Sequence, residues 1–121
     1  MTVLVVDDQR QVRELTARIL EQHDARVVGA ADGREALAAF AEHEDEIDVV
    51  LTDIVMAAIS GIELARRLRN DRPGLPLVYF SGHAGDVELP DEGPLQQKPF
   101  TPEQLVSAIG DVLPARFFAG R

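Results

Sequence analysis

The sequence predicts a single α/β domain built on one doubly wound, five-stranded parallel sheet. Three observations lead there. Five short, mostly apolar runs are spaced along the chain, amphipathic helical patterns separate them, and strand and helix alternate. Parallel strands need a crossover between them, and crossovers of one hand place helices on both faces of the sheet. A length of 121 residues with 45% apolar and 27% charged residues is ordinary for one globular domain.

The strands are expected at Thr2–Val6, Arg26–Ala30, Ile47–Thr52, Leu75–Ser81 and Pro94–Gln97. Three of these runs are apolar at both alternating sets of positions, as strands covered on both faces must be. Pro94 opens the fifth, which suits a strand start or a sheet edge.

Each helix is read from its apolar face and its caps. Val12, Leu15, Ile19 and Leu20 line the first helix. Ala36, Leu37, Phe40 and Ala41 line the second, behind Asp32 as N-cap with Glu35 three residues on. Ile62, Ala65 and Leu68 line the third, which starts behind Ser60 and stops at Pro73-Gly74. Leu105, Val106, Ile109, Val112 and Leu113 line the last, with Thr101 as cap, Pro102 at the first helical position, Gln104 completing a capping box, and Pro114 as terminator. Between Ser81 and Pro94, three glycines and a proline in twelve residues predict a short or irregular fourth helix.

Composition excludes several classes of function. With no cysteine, the chain has no disulfides, thiolate metal sites or cysteine nucleophiles. Twelve basic against 21 acidic side chains leave a net charge of −9, which repels phosphate backbones and argues against direct nucleic-acid binding. No run is long and apolar enough for a signal peptide or a membrane-spanning helix, so no membrane insertion and a cytoplasmic location are expected. The four carboxylates of His43–Asp48 read as a solvated loop, and His23 and His43 as surface residues. Phe117-Phe118 would either fold back onto the domain or meet a partner.

In a doubly wound sheet, ligands bind beyond the carboxyl ends of the strands. The residues there are Asp7 and Asp8 after the first strand, Asp53 after the third, Ser81 at the end of the fourth and Lys98 after the fifth. Three clustered carboxylates need a cation. All-oxygen ligation suits Mg²⁺, with Mn²⁺ as the alternative, and the lack of histidine or cysteine argues against zinc. A carboxylate can act as nucleophile and form an acyl phosphate, while a lysine, a hydroxyl and a divalent ion neutralise phosphoryl charge. Singly, each residue has a blander reading. The aspartates could cap the first helix, Asp53 could end a strand, Ser81-Gly82 could form a turn, and Lys98 could be a solvated lysine. Their coincidence at one sheet edge makes a phosphoacceptor site the stronger reading.

Val-Leu-Val-Val-Asp-Asp at 3–8, Leu-Thr-Asp-Ile-Val-Met at 51–56 with Ser60-Gly61, Phe80-Ser81-Gly82, and Lys98-Pro99-Phe100 match, in order and spacing, the motifs of response regulator receiver domains of two-component signalling. The match spans nearly the whole chain, which resembles that family throughout. The resemblance implies the flavodoxin-like strand order 2-1-3-4-5. It implies that Asp53 is phosphorylated and lends an oxygen to Mg²⁺, with Asp8 a direct ligand, Asp7 orienting metal-bound water and the backbone carbonyl of Val55 a further ligand. Ser81 and Lys98 would each engage a phosphoryl oxygen, the Lys98–Pro99 peptide would be cis, and Val55 and His83 would tune hydrolysis. The donor would be a histidine kinase or a histidine phosphotransfer protein. The chain would then be a phosphoacceptor signalling domain rather than an enzyme, apart from self-catalysed transfer and dephosphorylation. Its bounds would be 1–121, with a core at 2–113 and a tail at 114–121, either as a stand-alone regulator or as the receiver of a hybrid histidine kinase.

The chain departs from the family pattern at three places. Ala57 replaces a usual proline, Lys98 follows Ser81 by only 17 positions, and Leu95 stands where an aromatic usually switches inward. Output is therefore expected to reshape residues 82–93 locally rather than to flip an aromatic. Two rivals from other classes fit less well: a flavodoxin's phosphate would be repelled by Asp7-Asp8, and an aspartyl phosphatase would need Asp-x-Asp where this chain has adjacent aspartates. The nearest alternative is a degenerate receiver that binds partners without phosphorylation, against which the intact five-residue site argues.

Overall fold

The computed structural model describes residues 1–81, 95–97 and 100–113. In chain order the elements are β1 (Thr2–Val6), α1 (Arg10–Gln22), β2 (Arg26–Ala30), α2 (Gly33–His43), β3 (Val49–Asp53), α3 (Gly61–Asp71), β4 (Leu77–Ser81), β5 (Leu95–Gln97) and α4 (Pro102–Val112). The strands form one parallel sheet in the order β2-β1-β3-β4-β5, as the family resemblance implied. The expected helix between β4 and β5 falls on residues outside the described ones, as do Pro94, Pro114 and Phe117-Phe118.

Every residue of β1, β3 and β4 is buried, because helices cover both sheet faces. On one face Leu4, Val6, Val50, Leu77 and Tyr79 meet Ala36 and Phe40 of α2 and Leu64, Ala65 and Leu68 of α3. On the other, Val3, Val5, Leu51, Val78 and Phe80 meet Ile19 and Leu20 of α1 and Leu105 and Ile109 of α4. Burying one such large side chain contributes about 1.5–3 kcal/mol, so these two layers supply the main drive for the fold. The edge strand β2 is half open, with Arg26 and Gly29 exposed.

The predicted caps are present. Asp32 accepts from Glu35 N at 2.8 Å and Ser60 from Glu63 N at 3.1 Å. Thr101 and Gln104 form the full capping box, through Gln104 N to Thr101 Oγ1 at 3.1 Å and Thr101 N to Gln104 Oε1 at 2.8 Å.

Several expectations are corrected. β3 and β4 start two residues late, at Val49 and Leu77. Asp48 is occupied otherwise, its carboxylate accepting from Thr2 N at 2.8 Å, and Pro76 has no N–H to give a ladder. Leu15 is 51% exposed. Thr16 takes its place inside, because its hydroxyl donates to Val12 O at 2.7 Å and so carries no unsatisfied polar group into the core. Ala41 is exposed, while Ala39 packs on the core. In the acidic loop Glu44, Asp45 and Glu46 face solvent as predicted, whereas Asp48 has the structural bond just described. His23 is at the surface, and His43 is half-buried with its Nδ1 3.6 Å from Glu46.

Candidate functional site

β1 and β3 are neighbours in the sheet, with Val6 opposite Thr52. The chain therefore brings Asp7 and Asp53, each one residue further on, to the same edge. Asp8 completes the group: one carboxylate oxygen from each of Asp7, Asp8 and Asp53 lies within 4.8 Å of the others. Asp7 and Asp53 are 1% and 8% exposed, and Asp8 faces solvent. Carboxylates held this close, two of them largely out of water, favour a cation strongly. A hard all-oxygen donor set open to solvent on one side fits a partly hydrated divalent ion of the Mg²⁺ kind.

Asp7 is held at several atoms. Its N donates to Ala30 O at 3.1 Å, its Oδ1 accepts from Gln9 N at 2.9 Å, and its carbonyl accepts from an Arg13 guanidinium N–H at 2.8 Å. The Arg13 stem lies over Gly29 of β2, where a Cβ would meet Arg13 Cδ at 3.6 Å. Helix α1 begins behind Gln9, which makes no side-chain cap, so the cap position belongs to neither aspartate. The neighbouring Arg10 is engaged with Glu14 at 2.8 Å, and this hydrogen bond holds the Glu14 carboxyl below its ordinary range.

Asp53 is the last residue of β3 rather than the first after it. Its carbonyl accepts from the buried Thr52 hydroxyl at 2.9 Å. The following residue, Ile54, donates its N–H to Phe80 O at 3.0 Å and accepts from Gly61 N at 2.8 Å. The loop from Ile54 to Ser60 thus closes on itself at the start of α3. Within it, Ala58 has a left-handed backbone (φ 66°), Val55 is 67% exposed, and Ile59 packs so tightly on Gly33 that a Cβ there would lie 2.9 Å from the Ile59 Cβ.

Ser81 ends β4, 3% exposed, and directly follows Phe80, the register partner of Asp53. The hydroxyl residue and the central carboxylate therefore belong to adjacent strand ends. In β5, Gln97 is the register partner of Ser81. Lys98, Pro99 with its expected cis bond, and His83 lie outside the described residues. Of the predicted site residues, then, the fold brings Asp7, Asp8 and Asp53 together with Ser81 on the next strand end. Val55 stands two residues beyond Asp53.

Two contributors make contacts that no local sequence signal reveals. Arg13 reaches the Asp7 carbonyl from α1, six residues on; its facing the strand end rather than water follows only from how α1 crosses β1. Gly61 was visible as part of a motif, but nothing local revealed that it lies against the Asp53 peptide.

The described residues contain no helix long and apolar enough to cross a membrane. The family model for the response regulator receiver domain matches residues 3–110. The chain is 35% identical over 117 residues to the Sensor kinase CckA of Brucella abortus, covering 93% of this chain and 12% of that protein. To the Response regulator MprA of Mycolicibacterium vanbaalenii it is 36% identical over 119 residues, covering 92% of this chain and 49% of the regulator. It thus spans half or less of the length of these relatives. Among solved structures, the response regulator TrrA of Thermotoga maritima, in complex with Mg(2+)-BeF, superposes with a TM-score of 0.82 at 27% identity, over 93% of this chain and 98% of that one. With carboxylates gathered at the strand ends of a 2-1-3-4-5 sheet and a family match over most of its length, the chain belongs to the response regulator receiver domains, the phosphorelay-receiving modules of two-component signalling.

Proposed function

We propose that Asp53 accepts a phosphoryl group from the phosphohistidine of a histidine kinase or a histidine phosphotransfer protein, in a reaction that depends on Mg²⁺ or, alternatively, Mn²⁺. The observation that carries this reading is the convergence of the Asp7, Asp8 and Asp53 carboxylates within 4.8 Å, with Asp53 on the central strand. The Mg(2+)-BeF complex of TrrA supports the same chemistry.

An Asp53 carboxylate oxygen attacks phosphorus; the new O–P bond forms as the P–N bond to the donor histidine breaks, and the imidazole leaves with the electron pair. Asp8, Asp53 and the Val55 carbonyl would hold the ion, and Asp7, fixed through its backbone and Oδ1, would orient the ion's water. The ion supplies charge neutralisation for the phosphoryl oxygens. Ser81 donates a hydrogen bond to one of these oxygens, and Lys98 pairs with another. Val55, 67% exposed, and His83 would set how fast the acyl phosphate hydrolyses.

The receiver occupies 1–121, with its core at 2–113 and 114–121 as a tail, and works in the cytoplasm without inserting into a membrane or binding nucleic acid directly. Both a stand-alone regulator and a hybrid histidine kinase would accommodate it. Incubation with phosphoramidate or acetyl phosphate and Mg²⁺ is expected to add one phosphoryl group to the intact mass, and none to Asp53→Asn. Equal modification of the Asn variant would overturn the assignment.

A further inference from the structure

The loop from Ile54 to Ser60 holds a backbone shape that its own residues do little to favour. Ile59 N donates to Ala57 O at 2.8 Å across Ala58, whose φ is 66°. A three-residue turn with positive φ at its centre is a rare and strained form, and alanine has none of glycine's freedom there. Ala57 brings no proline ring to stiffen the turn either. Such a conformation persists where the surrounding structure imposes it.

Two side chains of the loop reach that structure. Val55, Ala57 and Ala58 are exposed, whereas Met56 and Ile59 pack on the core layer shared by α2 and α3. Met56 is unbranched and adapts to many gaps. Ile59 is branched at Cβ and stiff, and it sits on Gly33, the buried first residue of α2. A Cβ on Gly33 would lie 2.9 Å from the Ile59 Cβ and 3.3 Å from its Cγ2. The missing side chain at Gly33 is thus the seat of Ile59. At the other end of the loop, Ile54 is fixed by Phe80 and Gly61. Val55 stands between these two anchors, with the strained turn as spacer.

We propose that Ile59, seated on Gly33, is a positioning residue for the divalent ion: it imposes the strained turn at Ala58 and so sets where the loop presents the Val55 carbonyl. This rests on the metal-binding role proposed for Val55 above and extends it to two residues that touch no ion, one of them on a different helix. Mg²⁺ demands near-ideal octahedral geometry at about 2.0–2.1 Å, while Ca²⁺ accepts more ligands in looser arrangements. A carbonyl ligand that shifts therefore weakens Mg²⁺ binding more than Ca²⁺ binding.

The test is calorimetric titration of the full chain with Mg²⁺ and with Ca²⁺, at a temperature where each variant is folded by circular dichroism. Ile59→Ala removes the Cγ2 that faces Gly33, Ile59→Val keeps it, and Gly33→Ala pushes on the Ile59 Cβ. Ile62→Ala, on α3 against the same core layer, makes the same truncation outside the loop. Loss of the groups that support metal ligands costs about 10–100-fold in affinity, so Ile59→Ala and Gly33→Ala should each weaken Mg²⁺ binding at least about tenfold. Ca²⁺ binding should fall less in both, while Ile59→Val and Ile62→Ala should bind Mg²⁺ as wild type does. Wild-type Mg²⁺ affinity in Ile59→Ala or in Gly33→Ala would overturn the proposal. So would equal losses of Mg²⁺ and Ca²⁺, or a matching loss in Ile62→Ala or Ile59→Val, since each marks general loosening rather than one displaced ligand. Should Ile59→Ala not fold, Gly33→Ala decides alone, because alanine is the better helix former and its added methyl meets Ile59 first. Failure of wild type to bind Mg²⁺, or full binding by Asp8→Ala, would instead remove the metal reading of the site and this inference with it.

Discussion

Gly61 presses against the peptide of Asp53: a Cβ built on Gly61 would lie 2.0 Å from the Asp53 carbonyl oxygen and 2.9 Å from its carbonyl carbon. Both atoms are backbone, so no side chain can rotate away to make room. The same carbonyl already accepts from Thr52, and Gly61 N bonds to Ile54 O at 2.8 Å, so the start of α3 and the end of β3 form one closed unit.

Gly61→Ala is therefore expected to move the residue that carries the acceptor. Overpacking of this kind costs about 1–3 kcal/mol, and here the strain falls on Asp53 itself. Thermal unfolding should show the loss, and intact-mass analysis after phosphoramidate treatment should show reduced modification. Gly74, where a Cβ would meet nothing within 4 Å, provides the control: Gly74→Ala should stay within about 0.5 kcal/mol of wild type. Equal behaviour of the two variants would rule out the close approach.

Ala58 has φ 66°, a conformation that costs an L-residue roughly 1–2 kcal/mol and glycine almost nothing. Ala58→Gly should stabilise the domain by about 0.5–1 kcal/mol after the greater freedom of glycine in the unfolded chain is set against the relief. Urea denaturation measures this directly, and a destabilised variant would contradict the left-handed assignment.

Asp8 is the exposed member of the carboxylate group. Asp8→Ala should weaken Mg²⁺ binding at least about tenfold, a loss of ~1.4 kcal/mol or more. It should leave the metal-free fold as stable as before or more so, since a repulsion is removed. Undiminished Mg²⁺ affinity by titration would place the ion elsewhere.

Arg13 donates at 2.8 Å to the carbonyl of Asp7. A hydrogen bond from a charged donor contributes about 1.5–3 kcal/mol when its partner is secluded, and Arg13 is only half-buried, so Arg13→Ala should cost about 1 kcal/mol. Chemical denaturation without metal isolates this effect. No change would mean that the Asp7 peptide is held by β2 alone.

Much of this domain is determined by residues a few positions apart, and that part the sequence settles by itself. Asp32, Ser60 and Thr101 cap their helices because a side-chain oxygen needs only to reach an N–H three residues on. The uniformly apolar β1, β3 and β4 declare a sheet covered on both faces, and strict alternation makes it parallel, which alone sends Asp7, Asp8, Asp53 and Ser81 to one edge. Decisions across the sheet needed the packed molecule. Leu15 and Thr16 both lie near the predicted inward stripe, and only the angle at which α1 crosses the sheet leaves the leucine in water and the threonine inside. Asp48 looked like one more solvated charge until β1 brought the Thr2 N–H to it. The contacts that matter most at the site, from Gly61 to the Asp53 carbonyl and from Ile54 N to Phe80 O, join residues separated by 8 and 26 positions. No helical or strand period spans such a gap, so these contacts exist only because sheet twist and close packing bring the segments together.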